Sequence, residues 1–518
     1  MYPSKESLEG RQDKVLATFN AFLSLTTPNT AGDASLIQEK ESSLDALLSL
    51  LNPESGSAKN WSDALICKAF ECIKVMGREK DGSDPLYTDQ GIKTLSYHAG
   101  LVSTSTVPVD SQRSLEAMRC LANILLLEPE TRLPFTLVAG VSSLAKHIQN
   151  PNLSLDCQFL TYRLIFLVTA NNVEQCNDLI AFPKMATIAL DHVKPLVAKA
   201  VSATLTPGDK HMMVLGEIFK VVFNIVSAFE TAEDPAQKPI VQRTTQDQID
   251  AFQTLVYYVA QYVKAIKIPS PPLSPPLTTA IHALMNVTSL FWKEAYFASK
   301  DYSVLIRVLD LLEHTLALQM LVKGEGEGDE NPGWETDLPP VFILLTRMTR
   351  AEEGARKMIR GRLTPESIDR KKHLNEGHSI TNYMIRFMTS ITLPHVRETA
   401  CELLFASFNE SPQDLVAYTG LGHAAGFLVQ RGLMPSTLPS TSASSSSDTM
   451  EVDPVTGEIK RDEDAEEAWN NMTDEEREQE AEKMFMLFDK LNKTGIIQVL
   501  PQQGGNGRGV ARALEKGD

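Results

Sequence analysis

The chain has 518 residues, 43% of them hydrophobic and 22% charged, and a net charge of −17. That balance excludes wholesale disorder, and 28 glycines without a Gly-X-Y period exclude a collagen-like chain. The acidic charge argues against a dedicated nucleic-acid binder, which needs a basic excess to displace phosphate counterions.

This length calls for two or three domains or one extended repeat array. The opening MYPSKESLEG is polar and predicts no signal peptide. No uninterrupted apolar run of about 18 residues occurs, so no membrane-spanning helix is expected. Cys67, Cys72, Cys120, Cys157, Cys176 and Cys401 form no CxxC pair, and most fall in apolar runs. They read as reduced core thiols, and the expectation is a cytoplasmic monomer.

Apolar residues recur at helical spacing over 61–76, 114–127, 155–169, 211–229, 248–266, 279–293, 302–322, 338–360, 379–391, 394–408 and 473–491. Leu115, Met118, Ala122 and Leu125 illustrate the pattern. Strand-like alternation is scarce, so the fold class is all-α. Short breakers such as Asn150-Pro151-Asn152 and Thr206-Pro207-Gly208-Asp209 separate the runs. A helix pair or triplet every roughly 40 residues is the rhythm of armadillo or HEAT repeats. An armadillo/HEAT-like α-solenoid is therefore expected over 1–434.

Asn123, Asn224 and Asn286 each interrupt an apolar helix face. In armadillo arrays such an Asn lines the concave groove and bonds a partner's backbone. The alternative is an internal bond to a neighbouring helix. Phe219 and Phe223 stand one turn apart beside Asn224, and either meet a helical ligand together or belong to the core. The proline-rich IPSPPLSPPL (268–277) reads as a rigid connector, with a signalling-domain ligand as the alternative, and KGEGEGDENPG (323–333) as an acidic loop. Residues 347–362 hold six basic and two acidic side chains. There Arg347 and Arg350 share a face, as do Arg356 and Arg360. Such a face suits a carboxylate-bearing partner, since guanidinium pairs with carboxylate bidentately. A solvated charged face is the alternative.

Composition changes after Met434. PSTLPSTSASSSSD (435–448) cannot build a core. Residues 448–490 carry 16 acidic and 5 basic side chains, so most of the net charge resides there. The expectation is a flexible linker over 435–472, an amphipathic helix over 473–492 and a flexible tail over 493–518. Thr473-Asp-Glu-Glu476 forms a capping box, and Met484, Leu487, Phe488 and Leu491 form an apolar stripe. A lone amphipathic helix on a tether must dock, either on its own solenoid or on a partner.

No phosphate loop, HExxH or GxSxG occurs, so no cofactor, metal or covalent catalysis is expected. His147, His192 and His282 read as ordinary helix or core residues.

The segment AYTGLGHAAGFLVQRGLM (417–434) resembles the signature of the synembryn family. These are cytosolic exchange factors and folding chaperones for heterotrimeric G-protein α subunits. ETDLPPVFILLTRMTRAEEGARKMIRGRLTP (335–365), HVRETACELLFASFNES (395–411), DPVTGEIK (453–460) and MTDEEREQEAEKMFMLFDKLNKTGIIQ (472–498) are similar to the family too, in matching order. So are RCLANILLLEPETRL (119–133) and EIFKVVFNI (217–225). The first hundred residues depart from the family pattern.

The resemblance implies a solenoid that takes the Gα C-terminal helix in a concave groove, with a C-terminal extension embracing the GTPase domain. It implies GDP release, capture of the nucleotide-free subunit and assistance to Gα folding, with membrane recruitment only through Gα. On this reading Asn123, Phe219, Phe223, Asn224, Asn286, Arg347, Arg350 and Arg356 line the groove. Met484, Leu487, Phe488 and Leu491 form the clamp. Ser445, with Asp448 at the +3 position, and Thr449 are phosphorylation candidates. The rivals are a Gα chaperone without exchange activity and an armadillo-type scaffold.

Overall fold

The computed structural model describes residues 2–8, 10–25, 33–202, 205–206, 208–230, 245–287, 291, 296–297, 301–322, 331–434, 452–459 and 473. Among the described residues there are 22 α-helices and no strand, and the helices up to Ala351 stack as an armadillo/HEAT-like solenoid. The chain divides into two compact units, residues 1–356 and 357–518. The division falls well before Met434, inside the helix Glu353–Leu363.

In the first unit the helices form consecutive packed pairs. Asp89–His98 packs on Gln112–Leu127, Gly140–Ile148 on Leu155–Thr169, and Met185–Ser202 on Lys210–Glu230. Gln246–Ala265 then packs on Leu277–Met285, and Ser303–Val322 on Trp334–Ala351. IPSPPLSPPL joins the fourth of these pairs. The second helix of each pair stacks on its counterpart in the next pair, and Asp63–Met76 begins that row. These six helices form a ladder, which is how a solenoid buries faces that no single pair can cover.

Local chemistry sets where the ladder begins. Ser62, Ser111 and Ser154 each accept a hydrogen bond from the backbone N–H three residues on, capping three ladder helices. Leu121, Leu164, Leu215, Leu284 and Leu345 are fully buried along the row. Burying each such side chain favours folding by roughly 2 kcal/mol. Helix Lys210–Phe229 is long and apolar enough to cross a membrane by composition, but 78% of it is buried against its neighbours. Its apolar character belongs to the core.

Two predicted helices need correction. The helix at the start of the run 279–293 ends at Met285, and Asn286 is its C-cap. The run 338–360 is two helices, because Glu352 is extended at φ −154° and ψ 134°. Its carboxylate accepts from the Ala355 N–H at 3.1 Å and from the Tyr302 hydroxyl, so it caps the second helix and ends the first.

The second unit packs Ile380–Thr389, Pro394–Ser407, Pro412–Thr419 and Leu421–Gln430 together. Residues 452–459, within the stretch expected to be linker, fold as a turn closed by an antiparallel bridge between Val452 and Ile459. All six cysteines are buried and unpaired with one another. Burial pushes the thiols of Cys72, Cys157, Cys176 and Cys401 up to about 12, which keeps them protonated and unreactive.

Candidate functional site

A polar stripe runs along the ladder helices of the first unit. Its centres are two buried carboxylates. Glu116 accepts from Lys74 Nζ at 2.7 Å and from Arg119 Nη1 at 2.6 Å. Two ladder steps from Glu116, Glu217 accepts at Oε1 from Arg163 Nη1 at 3.0 Å and from Lys220 Nζ at 2.7 Å. The glutamate side chains are 6% and 4% exposed, whereas all four cations are more than 20% exposed. Each cluster thus hides its negative charge and shows positive charge to solvent. Asp156 joins the two regions, accepting from Lys210 Nζ at 2.6 Å and lying 4.0 Å from Arg119. A cavity of 190 Å³ opens there, lined by Arg119, Asp156, Phe159, Lys210 and Met213 among others.

The three asparagines all bond backward along the ladder. Asn123 Nδ2 donates to the Lys74 carbonyl at 3.3 Å. Asn224 Nδ2 donates to the Phe166 carbonyl and to Thr169 Oγ1, both at 2.9 Å. Asn286 Nδ2 donates to Ser227 Oγ at 2.8 Å. These are the internal bonds of the alternative reading. They satisfy polar groups at the ends of the preceding helices and hold the ladder's register. Asn224 is only 7% exposed, so its amide is committed to the fold. Asn123 and Asn286 stay half-buried at the stripe.

The two phenylalanines separate. Phe223 is half-buried at the stripe's edge. Phe219 is fully buried, its ring 5.2 Å from that of Tyr262, and this corrects the expectation that both face a ligand. Residues four apart on a helix differ by about 40° in direction, enough here to carry one ring into the core. Phe166 is half-buried on the stripe, with Lys220 Nζ 5.6 Å from its ring centroid.

Arg347 Nη1 donates to the Val287 carbonyl at 3.1 Å, next to Asn286, so it extends the stripe to the last ladder helix. Arg350 is exposed in the last turn of that helix, and Arg356 stands beyond the break at Glu352. The four arginines therefore do not form one helical face. Arg360 belongs to the second unit, its guanidinium 4.6 Å from the Phe408 ring.

Sequence reasoning missed Lys74, Glu116, Arg119, Arg163, Phe166, Glu217 and Lys220. The signal was present as a repeat. Glu116, Arg119 and Asn123 have the same spacing as Glu217, Lys220 and Asn224. This Glu-x2-basic-x3-Asn pattern places a buried anion, its cation and an inter-helix bond on one face.

The histidines are structural. His147 Nε2 lies 3.0 Å from the Gly100 carbonyl and His192 Nδ1 2.9 Å from the Tyr162 hydroxyl. Burial lowers the pKa of both, and that of His282. No cluster of potential metal ligands occurs among the described residues. Met484, Leu487, Phe488, Leu491, Ser445 and Thr449 lie outside the described residues.

In the second unit residues 418–422 and 454–459 come together. The N–H groups of Leu421 and Gly422 donate to the carbonyls of Pro454 and Val455 at 2.9 and 2.8 Å. Arg370 Nη1 donates to the Tyr418 carbonyl at 3.1 Å and also to the Gly457 carbonyl. Its own carbonyl accepts from the Ile459 N–H at 2.9 Å. Gly420 has φ +81°, and a Cβ there would sit 2.5 Å from the Thr456 carbonyl carbon, so only glycine lets the two backbones approach. Burial pushes the Tyr418 phenol up to about 12, and its hydroxyl donates to the Pro365 carbonyl at 2.9 Å.

Comparison with known proteins finds related sequences over most of the chain. The Ric8 family, guanine nucleotide exchange factor synembryn, matches residues 69–508. The protein named Chaperone Ric-8A from Gallus gallus is 27% identical over 469 residues, covering 83% of this chain and 81% of its own. Those from Xenopus tropicalis and Danio rerio are 26% and 27% identical over 464 residues, with the same coverage.

Proposed function

This chain belongs to the synembryn family of guanine nucleotide exchange factors, and on that premise we propose that it acts on heterotrimeric G-protein α subunits. It releases GDP, holds the nucleotide-free subunit until GTP binds, and assists the folding of new Gα. It does so by differential binding, without covalent catalysis.

The observation that carries this reading is the stripe. Partly exposed cations over buried glutamates, next to Phe166 and Phe223, suit an amphipathic helix that ends in a carboxylate. The Gα C-terminal helix is such a ligand. Arg347 and the half-buried Asn123 and Asn286 extend the surface for it, and Arg350 and Arg356 act only at its margin. Met484, Leu487, Phe488 and Leu491 close on the GTPase domain, and phosphorylation at Ser445 or Thr449 tunes that contact. A stripe that takes the helix only after it leaves its seat on Gα disfavours bound nucleotide, and by linkage nucleotide disfavours this protein equally. The same binding stabilises apo Gα by mass action, which is chaperoning. The protein is a cytoplasmic monomer that reaches membranes through Gα.

A second reading is a Gα chaperone without exchange activity, and the word chaperone in the relatives' name favours a folding role. GDP release from purified Gα at micromolar concentrations of this protein separates the two. Acceleration that requires the Gα C-terminal helix supports exchange. A stable complex with nucleotide-free Gα but no acceleration leaves the chaperone.

A further inference from the structure

The start of the chain carries a recess away from the ladder. Helix Ala34–Leu51 buries Leu44, Leu47 and Leu51. Its opposite face, with Gln38, Ser42, Asp45 and Ser49 at helical spacing, stays exposed. That face is a crest between two grooves. One, of 720 Å³, is walled by residues 3–6 and by Ser55 and Ser57. The other, of 550 Å³, lies toward residues 84–91. None of the residues lining either groove belongs to a ladder helix, and those of the first all precede residue 69, where the family match begins.

Local chemistry builds the first groove. Glu39 Oε1 accepts from the Tyr2 N–H at 2.8 Å, which fixes the start of the chain beside the helix. Gly56 packs so closely on the helix end that a Cβ there would lie 2.2 Å from the Leu50 carbonyl oxygen. That approach seats Ser55 and Ser57 at the groove's end. Lys40 is turned away from the groove: it is 1% exposed, and its Nζ donates to the Glu79 carbonyl at 3.0 Å.

Seven of the fifteen described lining residues are serines, so hydroxyls that both donate and accept dominate the wall. Glu6, Glu39 and Asp45 set three carboxylates against one cation, Lys5. Asp45 forms no ion pair among the described residues. Ser43 supplies an independent sign of a ligand. It lines the groove, is 2% exposed, and its Oγ has no hydrogen-bond partner among the described residues. Leaving such a hydroxyl unpaired costs roughly 1–3 kcal/mol. A polar cap on the end of a solenoid needs neither a recess nor an unsatisfied hydroxyl in its wall.

The carboxylates disfavour an anionic ligand, and no aromatic side chain among the described lining residues offers a stacking face. From Ser35 to Ser49 the helix runs about 21 Å, the span of about six residues of extended chain. An extended backbone presents N–H and C=O groups in turn, which serine hydroxyls can both satisfy. We propose that this groove docks an extended segment of a partner protein rich in Lys or Arg. The carboxylates receive its cations and the serine hydroxyls its backbone, Ser43 by a change of χ1 between staggered wells. This docking is independent of the action on Gα proposed above.

The test uses the full chain and a fluorescein-labelled pool of hexapeptides in which Lys or Arg alternates with uncharged residues, read by anisotropy at about 150 mM salt. Saturable binding is expected, with hydrogen exchange slowed over residues 35–57. Ser43→Ala and Asp45→Asn each weaken binding about threefold without lowering the melting temperature. Asp191→Asn, which removes an exposed charge elsewhere in the first unit, leaves binding unchanged. No saturable binding, or slowed exchange confined to residues outside 35–57, overturns the site. Parent-like affinity in either groove variant does the same. Displacement of the pool by spermine at equal charge concentration would reveal a cation site without backbone recognition, and overturns the peptide as its occupant.

Discussion

The Asn224 side-chain amide donates to the Phe166 carbonyl, 2.9 Å away on the preceding ladder helix. It makes a residue that reads as a ligand contact into a rung of the fold. The same bond brings Phe166 and Phe223 to neighbouring places on one stripe. Stability and recognition are therefore carried by adjacent residues, and substitutions separate them.

Asn224→Ala removes both side-chain bonds, while the Phe166 carbonyl keeps its bond from the Ala170 N–H at 3.0 Å. A loss of about 1–3 kcal/mol in unfolding free energy is expected, read by urea denaturation. A variant as stable as the parent would show that water replaces the amide.

Phe223→Ala removes a half-buried ring without opening the core. The melting temperature stays within a degree or two, while affinity for a Gα C-terminal peptide falls about tenfold, measured by fluorescence anisotropy. Unchanged affinity excludes Phe223 from the binding surface.

Arg163→Met leaves Glu217 with Lys220 as its remaining cation, while Glu217 Oε2 already lacks a hydrogen-bond partner among the described residues. Because both cations are partly solvated, the expected destabilisation is on the order of 2 kcal/mol rather than the full cost of an unpaired buried charge. Glu217→Gln combined with Arg163→Met restores part of the loss. Denaturation of the two variants checks this, and no recovery in the double variant would contradict it.

His98 is neutral in the folded protein. Its Nδ1 accepts from Arg113 Nε at 2.9 Å, its Nε2 lies 2.8 Å from the Leu51 carbonyl, and burial pushes its pKa down to about 4. The unfolded chain binds this proton near pH 6.5, so it takes up more protons than the folded chain as pH falls. Stability present above pH 6.5 is lost progressively toward pH 4, by about 3 kcal/mol from this residue. Urea midpoints of His98→Gln and the parent, compared across that window, isolate the contribution. Parallel curves would mean that His98 does not titrate this way.

Much of the architecture was legible because it depends on local periodicity. The 3.6-residue repeat exposed the ladder helices, and buried thiols followed from apolar context. Errors came where one residue decides direction. Glu352 ends a helix by capping the next, and Asn286 ends another as its C-cap; both look like helix interior when only apolar spacing is followed. The partners that reach each charge cluster from the preceding helix, Lys74 and Arg163, were illegible for a different reason. Glu116 and Lys74 are far apart in the chain, and nothing local says that a ladder helix will bring them to 2.7 Å.

The sequence by itself determined the helical class, the repeat rhythm, the absence of catalytic motifs and the family, since each is written in residue type and spacing along one chain. The tertiary structure alone decided which of Phe219 and Phe223 faces outward, which asparagines are committed to the fold, and that DPVTGEIK returns to Gly420. Those outcomes depend on which surfaces a neighbouring helix covers and how closely two backbones approach. Such distances are set by packing across many residues of intervening chain, and local periodicity does not encode them.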